Sequence, residues 1–431
     1  MVFSPRIALI LLFLLSFFSV SNTVAHAATT AKKATTTKKT TASSKKIAPK
    51  STTTPKSSAA KKSTASKTST AKKASTTKKT STAKRSTAAV SRSRSRRTRA
   101  RYSPWVTPTY ADSTIGDTTE GDDPVVRKAA VDAMGRYNGS VVVADPNTGR
   151  VLTIVNQSTA LGSGYIPCST VKVPVAMAAL YEGMIDSSTT LTVQRRTKIA
   201  LTEALAKSNN AYFERVGGQL GFEKLIEFHK YFGLGEKAGL NIEGESAGEL
   251  PTAPPANGGA ARMSSFGEGI SITALQMTAL MGAIANGGTL YYLQYPKNTV
   301  EAETFVPRVK RSLDITHIVD DLKRGMNGAV TFGTARQAAY TPEAPLFGKT
   351  GTCTDYTRRA HMGWFASFRD GDQNDLVVVV MLTGAAGVSG PRASMIAGRV
   401  YANLDKEGFF DKPLQYSPVA LMDNSIFNSN E

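Results

Sequence analysis

A serine and a lysine three residues apart, Ser169-Thr170-Val171-Lys172, open an apolar stretch that runs from Val171 to Met184. On a helix, residues spaced by three share a face, so the lysine amine can lie beside the serine hydroxyl. The N-terminus of such a helix also exposes backbone N–H groups able to receive an oxyanion. A lysine that is desolvated and crowded by other cations gives up its proton and becomes a general base. The spacing is weak by itself: Ser43/Lys46, Ser75/Lys78 and Ser81/Lys84 repeat it by accident. Two further groups follow Ser169, namely Ser208-Asn209-Asn210 and Lys349-Thr350-Gly351-Thr352. A nucleophile, a base, a cation for a substrate carboxylate and two oxyanion donors together are what acyl transfer requires. Pro174 is expected to perturb the first turns of the helix behind Ser169.

The elements that must hold these residues are legible around them. Ser140 to Ala144 and Arg150 to Val155 are β-branched runs joined by Asp145-Pro146-Asn147-Thr148-Gly149, strong turn chemistry, and together read as a hairpin. Ala360 to Phe368 and Leu376 to Leu382 form a second pair, joined across 369–374. Between the pairs lie helical stretches; Ser271 to Asn286 has apolar spacing, with Ser271 as the expected cap and Gly287-Gly288 as a stop. Strands at both ends with helices between them predict an α+β fold: an antiparallel sheet closed by the two ends of the domain, with flanking helices.

The three groups, in this order, resemble the motifs of penicillin-binding proteins, the serine D,D-peptidases and transpeptidases related to the serine β-lactamases. The resemblance extends to Gly233-Leu234-Gly235-Glu236-Lys237, to Gly244-Glu245-Ser246-Ala247-Gly248, and to Gly269–Thr273 followed by Ala283–Gly288. It covers roughly residues 125–405 and is closest to the transpeptidase domain of monofunctional, class B-like members. It implies a β-lactamase/transpeptidase-like fold with an all-α subdomain over 125–410. It also implies a role for each matched residue. Ser169 would be the acylated nucleophile and Lys172 its base. Ser208 would relay a proton to the leaving amine, and Asn210 would hold the substrate amide and orient Lys172. Lys349, Thr350, Gly351 and Thr352 would form an edge strand that binds the terminal carboxylate, with oxyanion donors at the N–H groups of Ser169 and Thr352. The implied partners are peptidoglycan stem peptides, with β-lactams as inhibitors, and no metal or other cofactor.

Two features depart from the family pattern or point to its relatives. Cys168 stands before the nucleophile, where the family usually has glycine, and Cys353 directly follows Thr352. In the family fold these positions face each other, and some class A β-lactamases bridge the same pair. A Cys168–Cys353 disulfide would add about 3–5 kcal/mol in the chain-entropy model. It is the best argument for a β-lactamase, which would need a carboxylate to activate water; Glu243, Glu245 and Glu249 lie in about the right part of the chain. The Glu-x-x-Leu-Asn pattern of class A enzymes is absent, which favours transpeptidase. A third reading is a non-catalytic wall-binding protein.

Charge and composition divide the chain of 431 residues. The net charge of +20 would fit a nucleic-acid binder, but residues 28–101 hold 16 Lys and 7 Arg with no acidic residue, and Arg6 precedes them. Residues 102–431 are therefore left at −4. Arg6, the apolar run Ile7 to Val20 and Ala25-His26-Ala27 read as a secretory signal over 1–27, with an uncleaved anchor over 7–24 as the alternative. Either takes the chain out of the cytoplasm, to the periplasm or cell wall, and away from nucleic acid. Residues 28–101, nearly all Ala, Thr, Ser, Lys and Arg, are expected to be a disordered linker spanning roughly 50 Å. The linker is either a polycation for anionic wall or lipid polymers or a basic spacer. Residues 102–124 read as a hinge and 411–431 as a tail. His229, His317 and His361 lack metal-ligand spacing. Trp364 reads as core, and Asp355, Tyr356, Arg358 and Arg359 as a groove lining or a solvated loop.

Overall fold

The computed structural model describes residues 104–240, 242–338, 345–371 and 374–411, all within one unit, Arg94–Glu431. The expectations for 1–27, 28–101 and nearly all of 411–431 lie outside the described residues.

The domain opens with α1 (Pro124–Met134), whose first N–H groups are satisfied by the Asp123 carboxylate and whose first residue is a proline that has no N–H to lose. The hairpin β1 (Gly139–Ala144) and β2 (Val151–Val155) follows, in register Val142↔Ile154. After α2 (Gln157–Gly162), a 3-10 turn over Cys168–Val171 runs into α3 (Lys172–Tyr181). Next come the ribbon β3 (Thr190–Thr192) and β4 (Lys198–Ala200) and the helices α4 (Leu201–Ala206), α5 (Asn210–Leu220), α6 (Phe222–Tyr231), α7 (Gly259–Phe266) and α8 (Ala274–Ala285). β5 (Thr289–Tyr291), α9 (Thr299–Glu303), β6 (Val309–Ser312) and α10 (Thr316–Thr331) lead to β7 (Leu346–Asp355), β8 (Ala360–Arg369), β9 (Leu376–Gly384) and α11 (Gly390–Lys406).

The main sheet has the order β2-β1-β9-β8-β7 with every pair antiparallel, so the two ends of the domain meet at β1 and β9 (Val141↔Val380). Alternate residues feed two cores. Val142, Trp364, Ala366, Val379 and Met381 pack with α3 and α8, whereas Val141, Val143, Phe365, Val378 and Val380 pack with α1 and α11. With both faces covered, β9 is buried over its whole length and reads as a continuous apolar run. β7 lies at one edge, with one side of its backbone unpaired by the sheet.

Three local expectations change. Helix α8 starts at Ala274 and its cap is Thr273, in a reciprocal capping box with Gln276; Ser271 instead bridges to Glu249. Pro174 sits in the first turn of α3, where an N–H would lack a helical acceptor, and the tight 3-10 turn precedes it. Of the hinge expected over 102–124, the described residues 104–123 lie along the domain: Asn138 N–H donates to Thr109 O (2.9 Å), Ala111 N–H to Arg136 O (3.0 Å), and Arg127 pairs with Asp117 (2.7 Å). Among the described residues no helix is long and apolar enough to cross a membrane.

Candidate active site

The start of α3 lies under the edge strand. Cys168 takes φ +53°, a left-handed conformation costly for a residue with a Cβ, in the position where a glycine was expected. A disulfide joins Cys168 to Cys353 with the Cα atoms 5.5 Å apart, so the turn is tied to β7 directly beside Ser169. Gly351 makes the close approach possible: a Cβ there would lie 2.9 Å from the Pro167 carbonyl oxygen and 3.2 Å from Cys168 Cβ. Trp364, fully buried in β8, donates its indole N–H to Ile166 O (3.0 Å) and holds the same turn from behind.

Lys172 is fully buried, and its Nζ contacts three acceptors: Ser169 Oγ (2.7 Å), Asn210 Oδ1 (2.7 Å) and Ser265 O (2.8 Å). The arrangement suits both protonation states. As an ammonium it donates to all three; as an amine it donates to two oxygens and presents its lone pair to the Ser169 hydroxyl. Burial pushes Lys172 down to about 7, against the pull of the Glu214 carboxylate. The rings of Phe213 and Phe266 stand 5.9 and 6.0 Å from Nζ and keep water from this side.

Asn209 caps α5 by accepting from Tyr212 N–H (2.9 Å), which sets Asn210 as the first helical residue. Ser208, just before it, has φ +55° and accepts from Lys349 Nζ (2.8 Å). Lys349 is also fully buried and donates to Thr350 O (2.9 Å). Its pKa is held well below the ordinary lysine value, first by burial and then by the charge of Lys172. Thr350 and Thr352 turn toward the N-terminus of α11: Thr352 Oγ1 accepts from Gly390 N–H (2.8 Å), and Thr350 Oγ1 shares a 2.5 Å hydrogen bond with Thr334.

The structure thus brings Ser169, Lys172, Ser208, Asn210 and the Lys349–Thr352 segment into one cluster, together with both cysteines. Three neighbours escaped the sequence reading. Ser265 meets Lys172 through its carbonyl, which carries no side-chain signal. Thr334 meets Thr350 from the loop after α10. Glu214, four residues after Asn210 on α5, lies 3.3 Å from Ser265 Oγ; its i,i+4 spacing from Asn210 was the available clue. Glu245 has a different role from the one weighed for it: its carboxylate accepts from Ala238 and Gly239 N–H (2.8 Å each) and fixes that turn. Of the histidines, His229 is buried in α6 against Leu225 O, His361 bonds Thr354 (3.0 Å), and His317 lies at the surface.

Comparison with known proteins bears on the family and the fold. The family model described as the penicillin-binding protein transpeptidase domain matches residues 139–404. The chain is 28% identical over 281 residues to Stage V sporulation protein D of Bacillus subtilis, covering 58% of this chain and 43% of that protein. It is 26% identical over 305 residues to penicillin-binding protein PbpB of Mycolicibacterium smegmatis, covering 59% and 47%. The chain therefore spans less than half the length of these curated relatives. A D,D-transpeptidase domain structure from Eggerthella lenta shares the fold with a TM-score of 0.56 at 21% identity, covering 67% of this chain and 82% of that one. The match over most of the folded residues, with the three motifs gathered in one cluster, shows that this chain belongs to the penicillin-binding protein transpeptidase domain family.

Proposed function

We propose that the protein is an exported serine D,D-transpeptidase that cross-links peptidoglycan stem peptides through an acyl-enzyme. The observation that carries this reading is the buried Lys172 amine, 2.7 Å from Ser169 Oγ and pushed down to about 7. Neutral Lys172 takes the Ser169 proton as Oγ attacks the carbonyl carbon of the D-Ala-D-Ala bond. The oxyanion forms between the N–H groups of Ser169 and Thr352, and the terminal carboxylate meets Lys349 and the hydroxyls of Thr350 and Thr352. Ser208, bonded to Lys349, passes a proton to the leaving D-Ala amine. An amine of a second stem then attacks the ester and the same groups act in reverse. Residues 28–101 act in this reading as a polycationic tether to anionic wall or lipid polymers.

A β-lactamase is the second reading, favoured by the disulfide beside the nucleophile. Against it stands Glu245, whose two oxygens are both engaged by backbone N–H groups. Incubating the full chain with a fluorescent penicillin, beside Ser169→Ala, separates the readings. Stable labelling that the variant loses supports the transpeptidase, and rapid loss of the label moves the reading to β-lactamase. No labelling would sink both and leave a wall-binding tail as the function.

A further inference from the structure

The turn between β7 and β8 is braced on two sides. On the inner side Arg358 donates to Asp355 Oδ2 (2.9 Å) and to the Gly164 carbonyl (2.7 Å), and its guanidinium lies 4.5 Å over the Tyr165 ring. On the outer side the segment entering the domain lies along the turn. Val106 N–H donates to Arg359 O (3.1 Å) and Arg359 Nε to Pro104 O (2.5 Å), and Trp105 packs 4.4 Å from the His361 ring. Between these braces Tyr356 stands 79% exposed, with its ring centroid 6.0 Å from that of Trp105. An exposed aromatic ring is thus carried on a braced turn at the end of the strand that bears Lys349 to Thr352.

The position matters because of strand geometry. A stem peptide added antiparallel to the free edge of β7, with its carboxylate at Lys349 and Thr350, runs toward Asp355. From Thr352 to its end at Asp355 β7 advances about 10 Å, at roughly 3.3 Å per residue, and Tyr356 opens the turn that follows. The three stem residues upstream of the acylating one also cover about 10 Å in extended form. The sugar-bearing end of the stem therefore arrives level with Tyr356.

We propose that Tyr356, backed by Trp105, is a stacking platform for the N-acetylhexosamine glycan that bears the stem peptide. The C–H face of a pyranose is apolar and flat enough to cover an aromatic ring, while its rim of hydroxyls stays in water, which is the chemistry an amphipathic tyrosine offers. This proposal rests on the reading of β7 as the stem-peptide strand, and it adds a subsite for the glycan.

The test uses the full chain and two donors, a disaccharide pentapeptide and the N-acetylated pentapeptide without sugar, with penicillin acylation measured alongside. The disaccharide donor should have the higher kcat/KM, by about fivefold, the factor one well-placed ring contact supplies. Tyr356→Ala should bring the two donors level while leaving penicillin acylation and the bare pentapeptide unchanged; Tyr356→Phe should keep the preference. Titration with the disaccharide alone should quench Trp105 emission in the parent and Tyr356→Phe, and not in Tyr356→Ala. Equal use of both donors by the parent would overturn the proposal, as would a preference that survives Tyr356→Ala or a matching loss on the bare pentapeptide. Should penicillin and the bare pentapeptide both fail to acylate the parent, the transpeptidase reading itself falls. The Trp105 titration then judges the platform separately: quenching lost in Tyr356→Ala keeps a glycan site, and no quenching removes it.

Discussion

Replacing Lys172 by methionine should abolish acylation and yet make the fold more stable. Burial moves this lysine from 10.5 to about 7. At about 1.4 kcal/mol per unit, holding it charged in the folded protein costs about 5 kcal/mol. Methionine fills similar space without the charge. It also removes a donor from Asn210 Oδ1 and Ser265 O; Asn210 is exposed and water replaces that bond, so the loss is about 1 kcal/mol at the Ser265 carbonyl. Lys349, relieved of its charged neighbour, adds to the gain. The net expectation is a stabilisation of about 2–4 kcal/mol, discounted for relaxation around the buried charge. Its pH dependence is the sharper signature. Between about 7 and 10.5 the unfolded chain binds a proton that the folded one has released, so the parent gains stability as pH rises. The advantage of Lys172→Met is therefore full below about 7 and fades toward 10.5. Urea unfolding of parent and variant, disulfide intact, at slightly acidic, neutral and alkaline pH reads this directly. A variant no more stable than the parent in mild acid would refute the reasoning, as would a gap that does not narrow in alkali.

In the proposed mechanism the same titration governs rate: acylation by a penicillin should rise as pH passes about 7 and then level off, because there only the neutral amine takes the Ser169 proton. Glu214→Gln removes the carboxylate that holds Lys172 up and should move this limb to lower pH; an unmoved limb would show that Glu214 does not set this titration. Cys353→Ala opens a loop of 185 residues and should lower stability by about 5 kcal/mol in the chain-entropy model. Reductant should destabilise the parent in urea and leave that variant unchanged; equal sensitivity of the two would show that the bridge contributes nothing.

Much of the site was legible because its chemistry is carried by short local patterns. The spacing of Ser169 and Lys172, the β-branched pairs around Asp145–Gly149 and the apolar run of β9 are properties of neighbouring residues, and they persist in the fold. The boundary of α8 was misplaced because Ser271 and Thr273 both resemble caps. Only the reciprocal bond with Gln276 selects Thr273, and Ser271 is drawn off to pair with Glu249. The expected hinge failed for a similar reason: proline-rich, polar sequence carries no mark of the carbonyls of Arg136 and Arg359 to which it bonds.

The sequence alone determined the α+β class, the order of the chemical groups, the separation of a basic tail from an acidic domain, and the family. The ionisation of the two lysines was decided only by tertiary structure, because desolvation depends on what surrounds a group, and α5, α7 and β7 come from distant parts of the chain. The same holds for the carbonyl of Ser265, the carboxylate of Glu214 and the approach that Gly351 permits between β7 and the turn that carries Ser169. Spacing can name a base, but only packing that excludes water can make a lysine act as one.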